Sequence, residues 1–397
     1  MLNCPKTNNQ PIQRPGRWCE PQRLSLYNES KWFTQKNSNQ MKKTRHYLIL
    51  TSAALLMMAC SNETMLTEES APSMENAITF TAEMDNGTRA SGETSSLTGA
   101  IGVFASYTGD VRYNLSTVSP NYMYNQQVTQ SGSEWTYTPV KYWPGTSETD
   151  GYKDYVSFFA YYPYITTADA AAATDGIIGF SNEDDSGDPW LVYQLPANAP
   201  TTQTDLLYGV KTDGSPMLDV QKQNVSGKVA FNFRHALACV GDQMTIRCSD
   251  ALKTQLAARS LYINSVTIHY KNLTNKARLI LNSNSSPNWQ PVISGEYTSS
   301  RTVSLSDATY IGDGTSHTPI YDGSTGQDVT ISDKGLFYIP MHLGAVRQEA
   351  EITVTYTIKK DETTTPGSVT NSYFLKENAQ QKESINIILG EGLLPVP

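Results

Sequence analysis

From Ala77 onward, apolar and polar residues alternate with period two along most of the chain, the pattern of strands with one buried face. In "ITFTAEM", Ile78, Phe80 and Ala82 alternate with Thr79, Thr81 and Glu83. The same reading predicts strands at 100–107, 122–129, 135–140, 155–164, 190–195 and 205–210, separated by clusters of Gly, Pro, Asn, Asp and Ser. The rhythm breaks around 219–228, and a second series runs through 228–235, 261–271, 277–282, 335–340, 351–360, 371–376 and 384–390. Only "HALACVG" (235–241) and "DALKTQLAARS" (250–260) read as helical. Repeated short strands place the chain in the all-β class and favour sandwiches or barrels. Two domains are expected, 77–222 and 223–397, with the boundary near residue 222.

The segment before Ala77 has a different character. Met41 opens "MKKTRHYLILTSAALLMMACSNE", in which cationic residues precede an apolar run from Tyr47 to Ala59 and then Cys60. The run falls short of the roughly 20 residues a spanning helix needs, and it reads as a secretory signal over 41–60. Met57-Met58-Ala59-Cys60 resembles the lipobox of bacterial lipoproteins, in which the cysteine is acylated and becomes the mature N-terminus; Met57 stands where leucine is usual. Residues 1–40 are polar and patternless, so translation is expected to begin at Met41 and 1–40 to be an untranslated or disordered extension. Residues 61–76, polar and acidic, read as a flexible tether.

Charge sharpens this division. Residues 1–60 hold nine Lys or Arg, which leaves 21 basic against 36 acidic residues in the remainder. A body that acidic repels phosphate backbones, so nucleic acid is not an expected partner. Arg89 is the only Lys or Arg between Arg45 and Arg112, isolated in a turn just after the first strand. Past the signal only Cys239 and Cys248 remain; an oxidising compartment permits a disulfide, but on one strand they would lie too far apart to be bridged.

Catalytic motifs are not found. No histidine spacing resembles a zinc site, and there is no G-x-S-x-G elbow, P-loop or dinucleotide fingerprint, so no enzyme activity, cofactor or metal is expected. Ser316 and His317 are adjacent on a loop and make no triad. Asn182, Asp184, Ser186 and Gly187 fit the first half of a calcium loop, but its twelfth position, where a bidentate Glu belongs, is Tyr193, so a solvated turn is expected. The aromatic block 134–164 is read mainly as core and edge cover; exposed rings there, Trp143 among them, would suit a glycan-binding lipoprotein instead. A hydrolase with paired carboxylates is a further rival, without a motif to support it.

The ordered set "IGVFAS", "YMYNQQVT", "WTYTPVKYWPG", "VSFFAYYPY", "TDLLYGV" and "VAFNFRHALACV", behind a lipobox, resembles the fimbrillin family, lipoprotein pilins of Bacteroidota. The likeness is close over 78 to about 240 and looser beyond. It implies two Greek-key, transthyretin-like β-sandwich domains in tandem, assembled into fimbriae or placed at their tip or base. It also implies a lipid on Cys60, anchorage to the outer membrane at the cell surface, and cutting by an extracellular arginine-specific protease just after the first strand. Here that means cleavage after Arg89, leaving Ala90 as the new N-terminus, with the strand of Ile78, Phe80 and Ala82 as the displaceable plug. Partners would be other fimbrial subunits, with a host protein or glycan as receptor. The donor strand is expected near the C-terminus, where Ile385, Ile387 and Leu389 alternate.

Overall fold

The computed structural model describes residues 74–85, 96–113, 118–145, 153–197, 203–292, 296–303, 319–332, 335–341, 347–377 and 382–390. Cys60, Arg89, Ala90, Ser316 and His317 lie outside them, as do the signal and nearly all of the tether. The chain is all-β with a few short helices. In order it forms β1 (Thr79–Met84), β2 (Ala100–Gly109), β3 (Met123–Ser131), β4 (Glu134–Thr136), β5 (Tyr155–Tyr162) and helix α1 (Thr167–Ala172). There follow β6 (Gly176–Phe180), β7 (Trp190–Gln194), β8 (Leu207–Val210), α2 (Lys222–Val225), β9 (Lys228–His235), β10 (Ala238–Cys248) and α3 (Asp250–Leu256). The rest comprises β11 (Ser260–Thr274), β12 (Lys276–Ile280), β13 (Asn288–Pro291), β14 (Glu296–Val303) and β15 (Val329–Ser332), then β16 (Leu336–Tyr338), β17 (Glu349–Lys360), β18 (Thr363–Phe374) and β19 (Lys382–Leu389).

Seven strands close a barrel in the order β1-β4-β3-β2-β5-β8-β9. Alternation explains its interior: Ile101, Val103 and Ala105 of β2 and Val156, Phe158 and Ala160 of β5 point inward with Leu207, Val229, Phe231 and Phe233. The opposite parity of β2, β5 and β8 is apolar too, since Phe104, Phe159, Tyr161 and Tyr208 belong to a second core. The sheet β13-β12-β7-β6 covers this outer face, with the Phe180 ring 5.3 Å from Tyr161 and 5.9 Å from Phe104. Gly102 permits the close approach: a β-carbon there would lie 2.0 Å from the Tyr161 ring.

The second core continues between two further sheets. In one, β10 pairs antiparallel with β16 and then β15, and parallel with β19 along its length. The other runs β14-β11-β17-β18, and β17 alternates strictly between buried and half-exposed positions. Strand β9 lies beyond residue 222 yet pairs with β8 and β1, so the barrel takes in residues up to His235.

The segment "HALACVG" is not helical: from Ala238 it belongs to β10. Residues 236–240 are all buried, because the strand is covered on both faces, and so they show no period for sequence reading to detect. Gly241 adopts φ +75°, where the register to β19 shifts between Val240 and Met244. The helix expected at 250–260 forms as α3, capped by the Ser249 hydroxyl, which accepts from the Leu252 N–H at 3.1 Å.

Candidate functional site: the seat of the first strand

The first strand occupies its barrel position unevenly. Against β9 it pairs in parallel over its whole length, from Thr79↔Lys228 to Met84↔Phe233. Against β4 a single pair forms, Phe80↔Trp135. The β4 ladder stops at Thr136 because the chain then turns through Thr138 and Pro139, and proline has no N–H to donate. A cleft of about 300 Å³ opens along this seam, lined by Thr79, Thr81, Ser133, Glu134, Val140 and Lys228 among others.

The inward side chains hold the strand. Ile78 and Phe80 are 1% and 3% exposed, while Ala82 and Met84 are half-buried. Phe80 sits in an aromatic cage, stacked 6.1 Å from Phe231 and edge-on to Tyr137 at 5.4 Å and Phe158 at 6.0 Å. Full burial of Ile78 and Phe80 stabilises the docked strand by about 1.5–3 kcal/mol each.

The strand's two ends are tied by polar contacts. At the leading end, Ile78 N–H donates to the Lys141 carbonyl at 2.9 Å, and the Tyr137 hydroxyl donates to the Ile78 carbonyl at 2.9 Å while accepting from the Lys141 N–H at 3.2 Å. Burial pushes the Tyr137 phenol up to about 12, so it stays a neutral donor. Trp143 donates through its backbone to the Asn76 carbonyl and through Nε1 to the Gly227 carbonyl at 3.1 Å. At the far end Asp85 N–H donates to the Phe233 carbonyl, and its carboxylate lies 3.3 Å from Arg234. The arrangement binds an extended segment by backbone pairing and one aromatic anchor.

The other sequence-selected residues lie apart from this seat. Ile385, Ile387 and Leu389 are on β19, 3%, 8% and 2% exposed, opposite Met244, Ile246 and Cys248 of β10. At its start Glu383 is buried and accepts from the Tyr338 hydroxyl, the Tyr373 hydroxyl at 2.6 Å and the Lys376 N–H at 2.8 Å. Cys239 and Cys248 share β10 as buried cysteines, about 30 Å apart at strand rise, and no disulfide joins them. Trp143 is 4% exposed, which removes it as a stacking platform for sugars; the aromatic block is largely core, as Trp135, Phe158, Phe159 and Tyr161 show. In the acidic turn Asn182 donates to Asp185, and Tyr193 at the would-be twelfth position is core, its hydroxyl donating to the Thr204 carbonyl.

Sequence reading located β1 but not its partners. Val229, Phe231 and Phe233 of β9 stand about 150 residues away, and nothing local encodes a parallel pairing over that distance. Glu383 did leave a signal: it shares the parity of Ile385, Ile387 and Leu389, a charge on an otherwise apolar face.

The chain is 26% identical to the fimbrium subunit Fim1C of Phocaeicola vulgatus over 200 residues, 49% of this chain and 50% of that protein. It thus spans about half the length of that relative. A crystallised fimbrial protein from Bacteroides vulgatus shares the fold with a TM-score of 0.56 at 18% identity, over 79% of this chain and 95% of the other. Residues 88–391 match the fimbrillin-like family, and the chain belongs to that family.

Proposed function

We propose that this protein is a fimbrial structural subunit or a fimbria-associated adhesin, assembled by strand donation after its own first strand is cut away. The observation that carries this reading is the lopsided seat of β1, bound to β9 along six residues and to β4 through one pair. Loss of β1 would bare the β9 edge and the apolar cage of Phe158, Phe231 and Tyr137. A strand from another subunit satisfies both by β-augmentation. While β1 remains, it keeps that edge closed to other chains.

In this reading the protein consists of two Greek-key, transthyretin-like sandwich domains, carries its lipid on Cys60 and sits at the outer-membrane surface. An arginine-specific protease cuts after Arg89, Ala90 becomes the N-terminus, and other fimbrial subunits supply the partner strand. The kinship with a fimbrium subunit supports the role, and the isolation of Arg89 supports the cleavage site. If β19 is the donor, it must first leave β10, with Ile385, Ile387 and Leu389 exchanging one buried setting for another. The test is to treat the secreted precursor with an arginine-specific protease and sequence the new N-terminus. The reading expects Ala90 and a ladder of oligomers; an uncut, monomeric product contradicts it.

A further inference from the structure

The solvent face of the covering sheet carries a feature that strand exchange does not use. In β12, Ala277 and Leu279 are fully buried, which puts Lys276 and Arg278 on the opposite, outward parity. In β7, Leu191 and Tyr193 are buried, so Trp190 and Gln194 share that outward face. Register sets Gln194 opposite Lys276, and sets Arg278 between Gln290 of β13 and Val192 of β7. The Arg278 guanidinium carbon lies over the Trp190 ring, 4.1 Å from its centroid. Its Nε is sealed without a hydrogen-bond partner.

Among the described residues, neither Lys276 nor Arg278 pairs with a carboxylate, whereas Arg112, Arg234, Lys253 and Lys271 all do. An acidic body offers many carboxylates, yet this fork is held by an aromatic ring with its terminal nitrogens left to solvent. The ring contact and the buried Nε restrain the guanidinium, and a restrained fork recognises a carboxylate through two parallel hydrogen bonds. The second cationic residue, Lys276, is two positions along the strand, roughly 7 Å away at the backbone.

We propose that this face binds a carboxylate-bearing saccharide. Arg278 would take the carboxylate, Lys276 would supply the second positive charge, and the amides of Gln194 and Gln290 would meet hydroxyl groups. A sugar acid is favoured over an acidic peptide because the positive charge is confined to two positions, each with one amide beside it that matches a hydroxyl, while Val192 and Trp190 offer apolar surface to a ring face. A polyacidic peptide calls for a longer basic track. The site is independent of β1 and its cleavage.

The test titrates the full secreted chain with oligogalacturonate and with sialyllactose, each alongside its carboxyl-reduced counterpart, and with polyglutamate. Binding of at least one acidic sugar is expected, lost on carboxyl reduction. Arg278→Lys keeps the charge but not the fork, and should weaken binding about tenfold or more with an unchanged melting temperature. Gln290→Ala, on an exposed position, should weaken binding less. Binding of neither sugar, equal binding of the reduced forms, full affinity in Arg278→Lys, or tighter binding of polyglutamate each overturns the proposal. Oligomerisation of Arg278→Lys after protease treatment reports separately on strand exchange.

Discussion

Truncating Phe80 to alanine is the most informative perturbation of the β1 seat. The ring is 3% exposed and touches three other rings, stacked on Phe231 and edge-on to Tyr137 and Phe158. Removing a buried phenyl group and leaving its cavity costs about 3–5 kcal/mol, a large share of the roughly 5–15 kcal/mol that holds a domain folded. The loss should act first on β1, whose other side is stitched to β4 by one pair. Local opening of β1 should therefore become about a hundredfold to a few thousandfold more frequent, at about 1.4 kcal/mol per factor of ten. Amide hydrogen exchange read strand by strand is the assay. Protection should fall in β1 and β9 while the central strands β11 and β17 change little. Thr81→Ala, on the outer parity, is the control and should shift stability by no more than about 0.5 kcal/mol. A loss below about 1 kcal/mol for Phe80→Ala, or a loss shared equally with β11 and β17, would refute the view of β1 as a strand pinned by one aromatic anchor.

Other consequences follow from named contacts. In Glu383→Gln the buried charge that accepts from the Tyr338 and Tyr373 hydroxyls and the Lys376 N–H is lost, so urea denaturation should show a loss of about 1.5–3 kcal/mol and β19 should become protease-sensitive. Tyr137 is held neutral with its phenol pushed up to about 12 from an ordinary 10.0, so its stabilising contribution is complete below pH 10 and is lost as pH rises through about 12. The stability gap between the natural protein and Tyr137→Phe should accordingly narrow between about pH 8 and pH 11, as denaturation at the two values can show. Trp143→Ala should lower stability by about 3–5 kcal/mol through the lost core and the Gly227 hydrogen bond, and should leave sugar binding per folded molecule unchanged.

What the sequence revealed follows from what periodicity can encode. Strand β17 is buried on one face only, so its alternation is written in "EITVTYTIKK" and its place was legible to within two residues. The first strand was legible for the same reason, one face of Ile78 and Phe80 against one of threonines. Where both faces are covered the period vanishes, and "HALACVG" read as helix although β10 begins within it. Strand β14, "EYTSSRTV", carries too few apolar residues to announce itself and depends on its partner β11. The outward pairing of Arg278 with Trp190 joins residues on different strands, and no local pattern contains it. Closure of the barrel by β9 is of the same kind, a product of topology rather than of neighbouring residues.

If β1 is a plug whose departure permits assembly, locking it in place must block assembly. Thr81 and Ala230 are register partners on the outer parity of β1 and β9, and adjacent strand positions fall within the reach of a disulfide. The double variant Thr81→Cys/Ala230→Cys, oxidised and then treated with an arginine-specific protease, should be cut yet remain monomeric. It should form oligomers only after a reductant frees the strand. Oligomers from the oxidised, cut protein at the rate of the natural chain would show that β1 need not leave for subunits to join.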